Sequence, residues 1–559
     1  MITKWELSNF KTFGKKTSIE LEPLTILTGK NSSGKSTLIK SMLLIAQTLR
    51  NSISSRQLVL NGPLVKMGTI KDIRANSEKE IGISFSYNNR CDNNENVKHE
   101  SKKIEYDLKF DNEGKLIFLH LHCTLQNDET ADIRAKKATD DSSRMSIENI
   151  NGKFIDEYDI IRSEIKNIDV ILSHFLPISI TSRFGYNYSK DKSKAKSLAV
   201  DIINNFPESI YERKDDMPLS VQNIIKNYLD AIYKNKEENE NIKNILIKNK
   251  KEFTRLVVDS YIKSKFKNIL DGDSPTLSSS NRKIIDYFSG SLKYLGPLRF
   301  LDSIYPFSLA DDLNDVGITG EYTAYVIFEN KHKKVEYINP NKLTGIFKGN
   351  SEVVENIPLD VAIAKYLNYL KVCKTIKVEE AGQSGYTLKI TQSKDNEPRD
   401  LTQVGVGISQ VLPIIVMGLI AEKGSTLIFE QPELHLHTEI QALLADFFVC
   451  MAYLGKQCII ETHSEPFIDR LRLRMCQQLL EKKEGLKKNI KIYYFQKKKN
   501  QTKVIPVEIN EYANYSIWPD GFFDIRHYNN EEILTAINKK RLEEDNCESE
   551  TPDAETSDD

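Results

Sequence analysis

Apolar and polar positions change their period several times along the chain, and the changes divide it into segments. Near the start, KWELSNFKTF, SIELEPLTILTG and EIGISFSYN carry strand-like patterns, and between the last two a helical spacing predicts one helix from Ser36 to Thr48. KIEYDLKF and KLIFLHLHCTL continue the strand texture, and the polar segment 126–155 reads as a loop. From about 155 to 290 the period becomes helical, with Ile224, Ile225, Tyr228, Leu229 and Ile232 on one face and Phe253, Leu256, Val257 and Ile262 on a later one. KNKEENENIKN, between those faces, reads as a solvated helical surface. LKYLGPLRFL, at 292–301, marks the return to a compact fold. EYTAYVIFE and YTLKITQS predict strands, with a helix from Leu359 to Leu370 between them. Buried-strand texture is strongest between 401 and 475.

Composition narrows the class. Hydrophobic residues at 40% and charged residues at 28% fit a soluble protein, and no apolar run approaches the roughly 20 residues that span a bilayer, so no membrane partner is expected. The first residues lack the pattern of a secretory signal, which predicts a cytoplasmic protein. The seven cysteines show no CxxC spacing, which argues against a zinc ribbon or a disulfide framework. Basic and acidic residues nearly balance, 78 against 79, so net charge alone nominates no nucleic acid. Residues 543–559 hold nine Asp or Glu and no Lys or Arg, the composition of a disordered tail.

The sharpest chemistry lies in TILTGKNSSGKST. Gly29, Lys30, Asn31, Ser32, Ser33, Gly34, Lys35, Ser36 and Thr37 follow an apolar strand and open a helix, the context that a phosphate-binding P-loop requires. Its glycines allow a tight turn whose backbone N–H groups point at an anion, backed by the helix N-terminus. The expected ligands are ATP and Mg²⁺, with Lys35 on the β- and γ-phosphates and Ser36 on the metal. A second apolar strand, TLIFE, ends in Glu430, placed to hold the metal's water shell, and IIETHSEPFIDRL supplies another strand ending near His463. Because the loop and the remaining site lie at opposite ends of the chain, the middle reads as an insertion into one nucleotide-binding head.

These residues resemble the ABC-type ATPase heads of the RecF, structural-maintenance-of-chromosomes (SMC) and overcoming-lysogenisation-defect (OLD) kind, over roughly 1–125 and 290–475. The resemblance implies an α/β P-loop head formed from both ends of the chain. Its lobes would be 1–125 and 291–475, around a mainly helical insertion at 126–290. VGVGISQVLP is similar to a degenerate ABC signature, so Gly405, Gly407, Ser409 and Gln410 become candidates for contacting the γ-phosphate held by a second protomer, with Ser409 as hydroxyl donor. An ordinary strand-to-helix turn is the alternative. Such heads sandwich ATP, which implies a homodimer or higher homo-oligomer. His463 matches their γ-phosphate-sensing switch histidine, against the alternative of a buried structural histidine. Residues 476–535, with IKIYYFQ and SIWPDGFFD, are similar to a C-terminal domain of unknown function, followed by the tail 536–559. OLD nucleases carry a further metal-binding domain with a D-x-D pair, and no D-x-D follows residue 475 here.

One departure matters. The family keeps two acidic residues after the TLIFE-type strand, and here they are Glu430 and Gln431. An amide orients water but cannot take its proton, so turnover should be slow or routed through Glu433. His435 and His437 invite a metal reading, but His-x-His without a third ligand is weak. The lysines of 482–503 around Tyr493 and Tyr494 fit either a nucleic-acid surface or a strand pair with solvated ends. Arg299, after a Gly-Pro turn, is a candidate nucleotide or partner contact, or a structural ion pair. The resemblance implies action on DNA or control of an effector protein, in prokaryotic antiphage defence or genome maintenance. The competing reading is a non-catalytic scaffold whose ATP-bound form recruits a partner.

Overall fold

The computed structural model describes residues 1–51, 57–89, 101–125, 130–136, 144–150, 153–154, 165–184, 188–204, 242–267, 275–300, 304–307, 313–347, 353–391, 397–401, 407–480 and 488–510, with isolated positions at 222, 226–227, 515, 534–535 and 537–538. The chain divides into two compact units. The first comprises Met1–Arg50, Leu60–Asp92 and Asp286–Asp559, and the second Asn51–Val59 and Asn93–Ile285.

The first unit begins with β1 (Ile2–Ser8), β2 (Thr17–Glu20), β3 (Leu24–Gly29), α1 (Lys35–Arg50) and β4 (Ile81–Asn88). β1 pairs antiparallel with both β2 and β4. In the second unit an antiparallel series runs through β5 (Ser101–Phe110), β6 (Leu116–Leu125), β7 (Thr130–Lys136), β8 (Arg144–Ile150), β9 (Lys153–Phe154), β10 (Ile165–Ser173) and β11 (Leu176–Phe184). Every second residue of β5 from Ile104 to Phe110 is buried, the period of a sheet with one covered face. The helices α2 (Tyr188–Asn204), α3 (Ile242–Lys248), α4 (Lys250–Lys267) and α5 (Pro275–Asp286) follow.

The chain then returns to the first unit with β12 (Leu292–Leu295), α6 (Thr323–Asn330), β13 (Lys334–Ile338), α7 (Leu343–Phe347), β14 (Val354–Pro358), α8 (Leu359–Tyr369), β15 (Thr375–Glu380), β16 (Tyr386–Thr391) and β17 (Arg399–Asp400). It ends its described course with α9 (Gly407–Ile420), β18 (Thr426–Glu430), α10 (Thr438–Tyr453), β19 (Gln457–Glu461), α11 (Glu465–Leu480), β20 (Ile490–Lys498) and β21 (Gln501–Pro506).

The sheet that positions the site has the order β12-β18-β19-β3-β20-β21. All neighbours in it are parallel except the last pair. β3, β18 and β19 are buried at every residue, which is why each reads as a short continuous apolar run rather than an alternation. Leu24, Ile26, Leu427, Phe429 and Ile460 share one hydrophobic core with Ile415, Phe447 and Phe467 from the helices. The two helices that leave β18 and β19 are joined by a buried ionic node. Asp446 on α10 accepts from Arg470 Nε at 2.9 Å and from Arg474 Nε at 2.6 Å, both on α11. Burial alone would raise its carboxyl, but the hydrogen bonds from Arg474, Arg470 and Tyr369 hold it below the usual range.

Several sequence expectations are corrected. Residues 126–155, expected as a loop, contain β7, β8 and β9, so the inserted segment opens with strands ahead of its helices. The longer stretch of the second unit begins at Asn93, ahead of the expected 126. EYTAYVIFE, rich in residues of high strand propensity, forms α6, because burial of Thr323, Val326 and Ile327 against α9 follows helical spacing and overrides propensity. The stretch expected as a separate domain from 476 instead contributes β20 and β21 to the P-loop sheet. Ile224, Ile225, Tyr228, Leu229, Ile232 and the segment WPDGFFD lie outside the described residues, as does the tail 539–559. Among the described residues no helix is long and apolar enough to cross a membrane.

Candidate functional site

Parallel strands in matched register bring the site residues together at their carboxyl ends. β3 ends at Gly29, and the turn through Asn31–Gly34 delivers Lys35 and Ser36 into the first turn of α1. In β18 and β19, Glu430 and Glu461 are direct partners, so the last residues of two apolar strands form a pair beside the loop. This is the edge at which open parallel sheets place ligands.

The loop has the shape of an anion cradle. Gly29 and Gly34 adopt φ of +137° and +109°, and Ser32 a φ of +59°. Lys35, only 3% exposed, donates from Nζ to the carbonyls of Gly29 and Lys30 at 3.0 Å each, and lies 3.8 Å from a carboxylate oxygen of Glu461. Burial lowers its pKa, an effect opposed by the negative charges of Glu461, Glu433 and Glu430. Ser36 donates to the two carboxylate oxygens of Glu461 at 2.8 and 3.0 Å. Ser33 Oγ is buried without a hydrogen-bond partner, a polar group that a phosphate oxygen would satisfy. Lys30, Asn31 and Ser32 are exposed and Thr37 is half-buried in α1.

Three carboxylates face this lysine. Glu430 is buried, accepts from the Tyr294 hydroxyl at 3.0 Å, and has its pKa raised by burial. Gln431 sits at a left-handed φ of +44°, with its backbone N–H donating to the Glu461 carbonyl at 2.7 Å. Glu433 follows around the turn, where one carboxylate oxygen accepts the His463 N–H at 2.7 Å and the other is buried with no partner. Burial also raises Glu433 and, with the neighbouring Glu430, pushes Glu461 up to about 7. Burial and the charge of Lys35 push the half-buried His463 down to about 4, so its imidazole is neutral at pH 7.

Glu461 and Tyr294 were assigned no role from sequence. The available signal for Glu461 was that QCIIE, like TLIFE, is an apolar strand ending in glutamate. Arg299, expected as a nucleotide or partner contact or a structural ion pair, is 6% exposed, donates to the Glu430 carbonyl at 3.2 Å, and is pushed down to about 10 by burial. His435 is exposed, and His437 caps α10 by accepting the Glu439 N–H at 3.3 Å. Tyr493 and Tyr494 are 6% and 1% exposed in β20 and pack in the sheet, and β20 with β21 forms the strand pair that was the alternative to a nucleic-acid surface. Gly405 lies outside the described residues. Gly407, Ser409 and Gln410 open α9, with Gly407 half-buried and the other two 3% and 4% exposed within their own protomer.

The donor set fits Mg²⁺. Ser36, Glu430 and Glu461 offer hard oxygens. Among the described residues no three His, Cys, Asp or Glu side chains form a ready-made cage, so a Mg²⁺ here would share its coordination with phosphate oxygens.

Residues 1–468 match the family described as the AAA ATPase domain. The chain belongs to that family. Residues 487–525 of this AAA ATPase match a second family, described as a protein of unknown function (DUF3696). A stretch of 102 residues is 33% identical to the Old nuclease of Escherichia phage P2, covering 16% of this chain and 17% of that protein. Among solved structures, an Smc head bound to the C-winged helix domain of ScpA aligns over 91% of this chain and 98% of its own, at 11% identity and a TM-score of 0.38. The SMC head domain from Thermotoga maritima aligns over 91% and 99%, at 8% and 0.32.

The raised carboxyl of Glu461 has a measurable consequence for the ATPase. Its folded form holds a proton more tightly than its unfolded form, so its contribution to stability is full below about pH 4.5 and is lost as pH rises through about 7. Glu430 and Glu433 shift in the same direction. The nucleotide-free protein should therefore melt at a lower temperature at pH 8 than at pH 6, and Glu461→Gln should raise the pH 8 value and flatten the slope. A variant melting below wild type at pH 8 would show that this carboxylate is not a destabilising charge.

Proposed function

We propose that the protein is a slow ATP phosphohydrolase whose protomers pair over bound ATP and Mg²⁺, and that the pairing acts on DNA or controls an effector protein. The observation that supports hydrolysis most directly is the convergence of Lys35 and Ser36 with Glu430, Glu433 and Glu461 at one sheet edge. Bound Mg²⁺ supplies charge neutralisation for the β- and γ-phosphates. Lys35 binds phosphate oxygens, and Ser36 with Glu430 and Glu461 holds the metal. The unpartnered oxygen of Glu433 is the acceptor available for a proton from the attacking water. Neutral His463, which donates its backbone N–H to Glu433 and whose ring feels the charge of Lys35, is the sensor of the γ-phosphate in this reading.

For pairing, the start of α9 is the surface offered to a second protomer. Since Ser409 and Gln410 are covered by their own protomer, the half-buried Gly407 at the start of α9 becomes the primary contact and the Ser409 hydroxyl follows only if the first turn of α9 opens. The partial likeness to a phage nuclease, together with the family resemblance, supports a role in antiphage defence or genome maintenance in the cytoplasm. Gln431 favours a second reading, an ATP-gated scaffold with negligible turnover.

The test is the mass of the protein in solution with and without ATP and Mg²⁺, beside phosphate release with and without DNA. A doubling of mass with ATP is expected, with slow release that Gln431→Glu accelerates. One mass under all conditions would sink the pairing. A stable ATP dimer without phosphate release would establish the scaffold instead.

A further inference from the structure

Both glycines of the P-loop are glycine because of a strand pair that arrives more than 450 residues later. A Cβ on Gly29 would stand 2.3 Å from the carbonyl oxygen of Phe495, its register partner on β20. A Cβ on Gly34 would stand 2.4 Å from the hydroxyl of Thr502 on β21. Thr502 is tied to this position from three directions. Its N–H donates to the Thr12 carbonyl at 2.8 Å, its hydroxyl shares a hydrogen bond with that of Thr12 at 2.7 Å, and the same hydroxyl donates to the Ser33 carbonyl at 2.8 Å. The hairpin that delivers it is tight: Lys498 pairs with Gln501 across Lys499 and Asn500, both at positive φ, as in the two-residue turns that match strand twist.

The contact to Ser33 has a directional effect. In a trans peptide the C=O and the following N–H point in opposite directions, so fixing the Ser33 carbonyl toward β21 turns the Gly34 N–H away from the hairpin, toward the concave side of the loop. We propose that the β20–β21 hairpin is a working part of the nucleotide cradle, and that Thr502 is a positioning residue that sets the orientation of the Ser33–Gly34 peptide for phosphate binding. This assigns a role to the start of the segment whose family has no known function, residues 487–525. It rests on the reading of the loop as an ATP site.

The test is titration of the full chain with fluorescent ATP and ADP analogues. Thr502→Val should weaken both nucleotides by about 5- to 20-fold, the usual worth of one buried hydrogen bond and the group it leaves unpaired. Turnover at saturating ATP should stay within about twofold of wild type, since the cradle holds the ground state and the transition state alike. Thr502→Ser, which keeps the hydroxyl, should restore binding, a rescue that a merely structural methyl contact would not produce. Wild-type affinity in Thr502→Val would overturn the proposal. If that variant fails to fold, Thr12→Val carries the test: it removes the neighbour that orients the Thr502 hydroxyl and should weaken binding to a lesser degree, and unchanged affinity would again overturn it. Failure of the wild-type chain to bind either analogue would refute the ATP reading itself, a result distinct from normal binding by the wild type and Thr502→Val alike.

Discussion

Lys35→Ala is expected to bind ATP at least about 100-fold more weakly than wild type, because two charge-assisted hydrogen bonds are lost and each is worth about 1.5–3 kcal/mol. The wild-type lysine is buried and donates its protons to two loop carbonyls, so it is already held where a triphosphate would meet it. Without it, the polyanion would face Glu430, Glu433 and Glu461 without the buried ammonium that opposes their charge. The variant should still fold. Glu461, already pushed up to about 7, can take a proton when its lysine is gone. Calorimetric titration checks the affinity and a melting curve checks the fold. A dissociation constant within threefold of wild type would remove Lys35 from the site.

The second large effect concerns the proton acceptor. Glu433→Gln should reduce kcat by about 10²- to 10³-fold while leaving ATP affinity within about threefold, the signature of a group used only in the transition state. Three features single out Glu433. Gln431 carries an amide, Glu461 is engaged by Ser36, and His463 is too weakly basic at about 4 to accept a proton at neutral pH. One oxygen of Glu433 is anchored by the His463 N–H and the other has no partner, so the carboxylate is both oriented and available. Single-turnover phosphate release measures the step directly. Undiminished release in the variant would leave positioning and charge stabilisation as the source of catalysis.

The parts of the site that sequence revealed are those written in contiguous residues. GKNSSGKST between a strand and a helix needs no tertiary information, and TLIFE and IIETH announce buried parallel strands by their apolar runs. What sequence hid depends on register and on contacts across hundreds of residues. Glu461 becomes significant only when β18 and β19 pair so that it stands beside Glu430 and under Ser36. Thr502 is the second residue of β21, just past the Lys499–Asn500 turn, and matters only because β20 lies along β3. The strands of the inserted unit were missed between 126 and 155 because β7 and β8 carry more polar than apolar residues, and their pairing partners rather than their composition make them strands.

The place of β3 in its sheet also constrains how the protein is made. β3 emerges first among the six strands of its sheet, yet its two neighbours are β19 and β20, the last of which ends at Lys498. At the usual pace of about 5–20 residues per second, the ribosome needs about half a minute to a minute and a half to deliver both. During that interval a strand destined to be buried at every residue waits with both edges open, a state that invites pairing with other chains. Nascent copies of this protein should therefore lean on chaperones until translation is almost finished, and fragments ending before β20 should aggregate rather than fold.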